Sequence, residues 1–322
     1  MSAVLPSTPR GIEVLAVAGV GEVTHHTDLA ALVAAIPWLA EGDVVLVTSK
    51  VVSKAEGRVA QGDRRAAVEA ETVRIVARRG ETAIVENRLG LVMAAAGVDA
   101  SNVEVGQVVM LPLDPDASAR TIRRGVLEET GRNVAVLVTD TAGRPWREGQ
   151  TDIAIGVAGI EPMADLAGAQ DAHGNRLAVT APAYADELAG AADLVAGKLD
   201  GRPVVVVRGL AAWVLAPGHN GPGASAMLRP RERDMFGLGA REAVVAAVQE
   251  QQQACFGAPA LRAELVTTLA GCGWPVTASG EGVAVTGTPD QLAVARVVAF
   301  AHGWIPSRSD PGQLLLQPGT PA

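Results

Sequence analysis

Residues 134–141 read VAVLVTDT, an apolar run that stops abruptly at Asp140 and Thr141. Ligand sites in open α/β sheets lie beyond the carboxyl ends of strands, where a carboxylate followed by a hydroxyl offers oxygen ligands to a hard cation. The competing reading is an Asp that starts a turn for local reasons. Directly downstream, residues 143–152 read as a polar loop carrying Arg144, Arg147 and the indole of Trp146. Arginine suits bidentate capture of phosphate or carboxylate. Asp99 and Asn102 follow the apolar stretch 90–96 and offer a second oxygen ligand and a directional hydrogen bond; singly, each is an ordinary turn residue. Ser49, Lys50 and Lys54 follow another apolar run and present a hydroxyl and two point charges to a phosphate, or else form a solvated strand end.

Other chemistries find no residues. There is no GxxxxGKS/T, and Gly19 to Glu22 is too short for GxGxxG, although backbone amides over Val20, Gly21, Glu22 and Val23 can still meet a base or a phosphate. His25, His26 and His219 have no Ser or Cys in a nucleophilic arrangement.

The elements that must position these groups alternate along the chain. β-branched runs predict strands near 12–17, 44–47, 83–86, 108–111, 134–139, 177–180 and 204–208. Helical spacing predicts helices over 29–39, capped by Asp28, over 64–79 and over 185–196. A Gly and Pro cluster over 217–223 reads as a surface loop, a helix follows over 240–254, and Phe256 to Pro259 punctuates the chain. The remainder reads helix, strand, strand, helix, strand over 261–269, 276–278, 283–286, 291–301 and 314–317. This order argues an α/β or α+β fold in two unequal domains.

Composition sets the outer limits. The 322 residues are 48% hydrophobic and 19% charged, enough for a core, and the net charge is −8. An acidic chain with 3% aromatics lacks both the basic field and the stacking platforms that nucleic acid requires. Cys255 and Cys272 form no zinc or disulfide pattern, which points to a reducing compartment. No leader-like start and no apolar run of about 18 residues is present, so a cytoplasmic protein without a membrane span is expected.

Four long segments carry a resemblance: GDVVLVTSKVVSKAEGR (42–58), ENRLGLVMAAAGVDASNV (86–103), VLVTDTAGRPWREGQTDIAIGVAGI (136–160) and ADELAGAADLVAGKLDGRPVVVVRG (185–209). In order and register they resemble the coenzyme F420-0:L-glutamate ligase family, most closely the N-terminal ligase half of its actinobacterial members, to which LPLDPDAS (111–118) is also similar. The resemblance implies GTP-dependent addition of L-glutamate to coenzyme F420-0 and then further γ-linked glutamates, by a homodimer using Mg²⁺ or Mn²⁺ at two sites and helped by K⁺. Carried over by position, Asp99 and Asp140 match ligands of a first metal and Thr141 a ligand of a second. Val20 to Val23, Ser49, Lys54 and Asn102 match GTP contacts. Relatives offer a metal ligand near the position where Lys198 stands, which sets this chain apart. The expected fold is α+β: a mixed-sheet ligase domain over 11–254 and a small α+β appendage over 259–322, too short for the flavin-binding domain of some relatives, so no flavin is expected.

Phosphorylation by GTP converts a poorly electrophilic carboxylate into an acyl phosphate that an amine can attack, and it demands charge neutralisation. Oxygen-only ligands suit Mg²⁺ or Mn²⁺. Lys54 with nearby arginines is the candidate for holding developing charge, and Arg144, Arg147, Arg208 and Arg229 are the candidates for gripping glutamate and the polyanionic acceptor. Two rivals stand beside this reading: an NTP-dependent carboxylate-amine ligase with another acceptor, and a non-catalytic protein that binds the coenzyme or GTP.

Overall fold

The computed structural model describes residues 11–319, which divide into two compact units: one of residues 11–74 and 85–228, the other of 75–84 and 229–319. In chain order the strands are β1 Glu13–Ala16, β2 Val44–Thr48, β3 Val59–Gln61, β4 Thr72–Arg79, β5 Thr82–Asn87, β6 Val92–Ala94, β7 Gln107–Val109, β8 Ala135–Arg144, β9 Arg147–Ala158, β10 Val204–Arg208, β11 Val276–Ser279, β12 Gly282–Thr286, β13 Trp304–Asp310 and β14 Gln313–Pro318. The helices are α1 Leu29–Ala34, α2 Ser49–Ala55, α3 Arg64–Glu71, α4 Pro115–Thr130, α5 Tyr184–Ala196, α6 Ala240–Gln249, α7 Arg262–Gly271 and α8 Pro289–Ala301. Helices and a mixed sheet together give the expected α+β class.

The first unit is built on a five-stranded sheet, β1-β10-β2-β8-β9, in which only β2 and β8 run parallel. Alternation sends Val45, Val47, Val136 and Val138 to one face, against Val33, Ile122 and Val126 of α1 and α4. It sends Val44, Leu46, Ala135 and Leu137 to the other, against Leu188, Ala189 and Ala192 of α5. Both faces are covered, which is why these strands read as unbroken apolar runs.

Two interior charges tie the loops down. Arg123 donates to the carbonyls of Val134, His219 and Leu215 and to the side chains of Asn133 and Asn220. Asp116 accepts from the Val157 and Ala224 amides and the Ser225 hydroxyl. Gly223 sits at φ +84, and a Cβ there would meet Asp116 Oδ2 at 2.3 Å, so this turn of the Gly and Pro loop requires glycine.

The second unit has its own core. Leu265 and Leu269 of α7 and Ala295 and Ala299 of α8 pack with Val283, Leu314, Leu316 and Trp304 of the antiparallel sheet β11-β12-β14-β13. The break expected at 256–259 lies inside this unit, which takes in 75–84 and resumes at Arg229.

Several expected elements are corrected. The helix over 64–79 ends at Glu71, because β-branched Thr72, Val73, Ile75 and Val76 continue as β4 and pair with β5. The strand at 177–180 is irregular chain, with Val179 91% exposed. The polar loop at 143–152 is a hairpin of β8 and β9. Helices over 29–39 and 240–254 stop early, the latter at Glu250 in the left-handed region (φ +53). Among the described residues no helix is long and apolar enough to cross a membrane.

Candidate functional site

The parallel pairing of β2 with β8, in register from Val44↔Ala135 to Thr48↔Thr139, sets the carboxyl end of β2 beside the middle of β8, which does not stop at Thr139 as expected but runs on to Arg144. β2 passes straight into α2, so Ser49 follows Thr48 just where β8 reaches Asp140. Ser49 Oγ donates to Asp140 Oδ1 at 2.7 Å. Beyond this point β8 pairs with β9, placing Thr141 opposite Asp152, and Thr141 Oγ1 donates to Asp152 Oδ1 at 2.7 Å.

Asp99 enters from the loop before β7, held by a bridge to Val109. Its Oδ1 accepts the amides of Ala100 and Ser101, and its Oδ2 accepts Lys50 Nζ at 2.6 Å and Ser101 Oγ at 2.7 Å. Lys50 lies on α2, and one turn on, Lys54 Nζ donates to Glu22 Oε1 at 2.5 Å. That pair draws the 20–23 segment to the same helix, with Val23 buried in the core and Val20 packed against it. On the far side, Lys198 Nζ lies 2.8 Å from Thr141 Oγ1, 3.0 Å from Asp152 Oδ1 and 2.7 Å from Asp193 Oδ1.

The carboxylates differ in charge state. Loss of solvation pushes Asp140 up to about 6; Ser49 and Lys50 oppose the rise, while the charges of Asp152 and Asp99 add to it. Burial acts to raise Asp99 as well, but the bonds from Lys50 and Ser101 outweigh it and hold this carboxyl at about 2. Asp140 is therefore a carboxylate short of positive charge, in a cluster of oxygens at the end of a sheet. Such perturbed groups mark functional sites more often than scaffold.

Asp99, Asp140, Thr141, Ser49, Lys54 and Glu22 thus converge on one end of the sheet. Asn102 lies three residues past Asp99, exposed and at φ +54. Arg144 and Arg147 do not join them: they flank the exposed hairpin tip, with Arg144 about 13 Å along β8 from Asp140 at the usual strand rise. Arg208 is corrected outright, since β10 runs antiparallel to β2 and puts it at the opposite end of the sheet, paired with Asp43. Arg229 belongs to the second unit and pairs there with Asp234.

Residue reasoning passed over Asp152 and Asp193, and the signal that points to them is lysine usage. Of the 27 basic residues only Lys50, Lys54 and Lys198 are lysines, and all three make ion pairs around this site.

Among the described residues no group of three or more His, Cys, Asp or Glu side chains is spaced to hold a metal unaided. Two carboxylates suffice for an ion such as Mg²⁺, which keeps its waters and takes further oxygens from substrate phosphates. The charge deficit at Asp140 fits such an ion; Asp99 joins it by giving up Lys50 or Ser101, which together with the Ala100 and Ser101 amides fill its four acceptor sites. Thr141 does not fit a second, because its hydroxyl is already used by Asp152 and Lys198.

Comparison with known proteins gives the chain its family. The family described as F420-0:Gamma-glutamyl ligase matches residues 19–209. The coenzyme F420:L-glutamate ligase of Methanothermobacter thermautotrophicus is 39% identical over 249 residues, covering 70% of this chain and 97% of that protein. Its namesakes from Archaeoglobus fulgidus and Methanopyrus kandleri are 40% and 41% identical over 62% and 67% of this chain, and 88% and 93% of their own length.

Proposed function

The chain belongs to the F420-0:gamma-glutamyl ligase family, whose members form amide bonds, and from that premise we propose that it joins L-glutamate to coenzyme F420-0 with GTP as co-substrate. The observation that carries the chemistry is the desolvated Asp140 carboxyl where β2 ends beside β8, bonded by Ser49 and with Lys50 as its nearby cation.

The γ-phosphoryl group moves to an acceptor carboxylate oxygen: its bond to the bridging oxygen breaks, GDP leaves and an acyl phosphate forms. The glutamate nitrogen then attacks the acyl carbon, phosphate departs and the amine gives up a proton. Lys50 and Lys54 set fixed positive charge at the phosphates. Glu22 positions Lys54, and Ser49 orients Asp140. The amides of 20–23 and the side chain of Asn102 contact the nucleotide. Asp99 and Asp140 would hold Mg²⁺ or Mn²⁺, which when bound neutralises phosphate charge. Arg144 and Arg147, exposed on the hairpin, grip the anionic acceptor. K⁺ assistance and a homodimer complete the reading, and light scattering tests the latter.

The deciding experiment is mass spectrometry of coenzyme F420-0 incubated with protein, GTP, L-glutamate and Mn²⁺, beside the Asp140→Ala variant. Added glutamyl units that vanish in the variant support the reading. GTP hydrolysis without addition points to another acceptor, and neither points to a binding protein.

A further inference from the structure

Three elements converge on the Lys198 ammonium: Thr141 from β8, Asp152 from β9 and Asp193 from the last turn of α5. Gly197 ends α5 at φ +68 and turns the chain so that Lys198 comes back over the sheet end. An ammonium has three donors, and here each has its own oxygen within 3.0 Å. Burial alone would lower this lysine, but the two carboxylates outweigh it and hold the group above the ordinary lysine range, so it is charged whenever the protein is folded near neutrality.

We infer that the Lys198 ammonium is a built-in cation at this oxygen cluster, and that Thr141, Asp152 and Asp193 hold no metal ion in this chain while it is present. A second observation makes the lysine specific. Every other basic residue outside α2 is an arginine, so nothing about this chain's composition favours lysine at position 198. A planar guanidinium presents its donors in a rigid fork, whereas an ammonium is a compact point charge like a small ion. Divalent metal is then confined to the Asp99 and Asp140 side, where Asp140 lacks such a partner. Lys198 is a positioning residue: it fixes Asp152, whose charge is felt at Asp140.

The inference rests on this sheet end being the reaction site, yet its test needs neither substrate nor turnover. Mn²⁺ bound per chain is counted by equilibrium dialysis on the whole protein, with thermal melts alongside. In the wild type, Asp152→Asn leaves the count unchanged. Lys198→Met gains one ion, which Lys198→Met combined with Asp152→Asn loses again. An ion lost from the wild type on Asp152→Asn overturns the inference, as does a folded Lys198→Met protein that gains none. Should Lys198→Met fail to fold, the Asp152→Asn comparison still decides. Failure of the ligase reading would show instead as absent glutamyl addition with these counts unchanged.

Discussion

Asp43 and Asp140 stand at opposite ends of the same parallel strand pair, and their surroundings could hardly differ more. Asp43, just before β2, is 1% exposed and saturated: Arg208 reaches both of its oxygens and the Ala40 amide adds a third bond. Asp140, on β8, has one hydroxyl donor and two neighbouring carboxylates that raise it. A bidentate arginine locks Asp43 into the scaffold, while Asp140 keeps its charge deficit for something that binds. The same contrast divides the cations. Arginine serves the scaffold at Asp43, Glu71 and Glu86, and lysine serves the site.

The sharpest way to break this comparison is to remove each carboxylate in turn. Asp140→Ala should lower the rate of glutamyl addition by about 10³-fold, the scale of a lost electrostatic group in an active site, with no loss of thermal stability in metal-free protein. Asp43→Asn should do the reverse, costing about 1.5 kcal/mol in denaturant titrations by weakening the charge-assisted bonds to Arg208, whose partly exposed guanidinium water can still solvate, with rate per folded molecule unchanged. Similar outcomes for the two variants would erase the distinction.

pH sharpens it further. The folded-state pKa of Asp140 is raised to about 6 from 3.8, so between pH 4 and 6 the folded state holds more protons than the unfolded one. This group's contribution to stability therefore falls as pH rises through that window, and Asp140→Asn removes the slope from denaturation curves. Mn²⁺ affinity should drop below pH 6, since protons compete for the same carboxylate. Asp99 has the opposite sign: its contribution is present above 3.8 and is lost as pH falls towards 2. Lys54→Ala should raise the KM for GTP about tenfold, yet cost under about 1 kcal/mol of stability, because Glu22 is mostly exposed. The smallest effect is expected at the hairpin tip, where Arg147→Ala should change the acceptor KM by about threefold, or about 0.6 kcal/mol, and leave kcat alone.

Legibility followed burial. The runs of β2, β8 and β10 announce themselves because both faces are covered, and α5 shows its small-residue stripe. β9 is the exception: its apolar half from Ile153 to Ala158 is as buried as β8, but its first residues, 147–150, are exposed and polar and read as a loop, and with that polar half went Asp152. Lysine was read as commonplace at a surface, where a count along this chain would have made each of the three a marker. Arg208 was assigned to the wrong end because strand direction within a mixed sheet is not written in any local pattern.

By itself the sequence determined which segments are strands with two buried faces, that the apolar run of one of them stops at Asp140 and Thr141, and which family the segments belong to. Those properties are local or additive along the chain; that the strand itself continues to Arg144 was not legible. Which carboxylate meets which cation was decided only by the tertiary structure. Coulomb and desolvation energies depend on distance and burial, and Asp43 meets Arg208, or Asp152 meets Lys198, only after the sheet has ordered its strands.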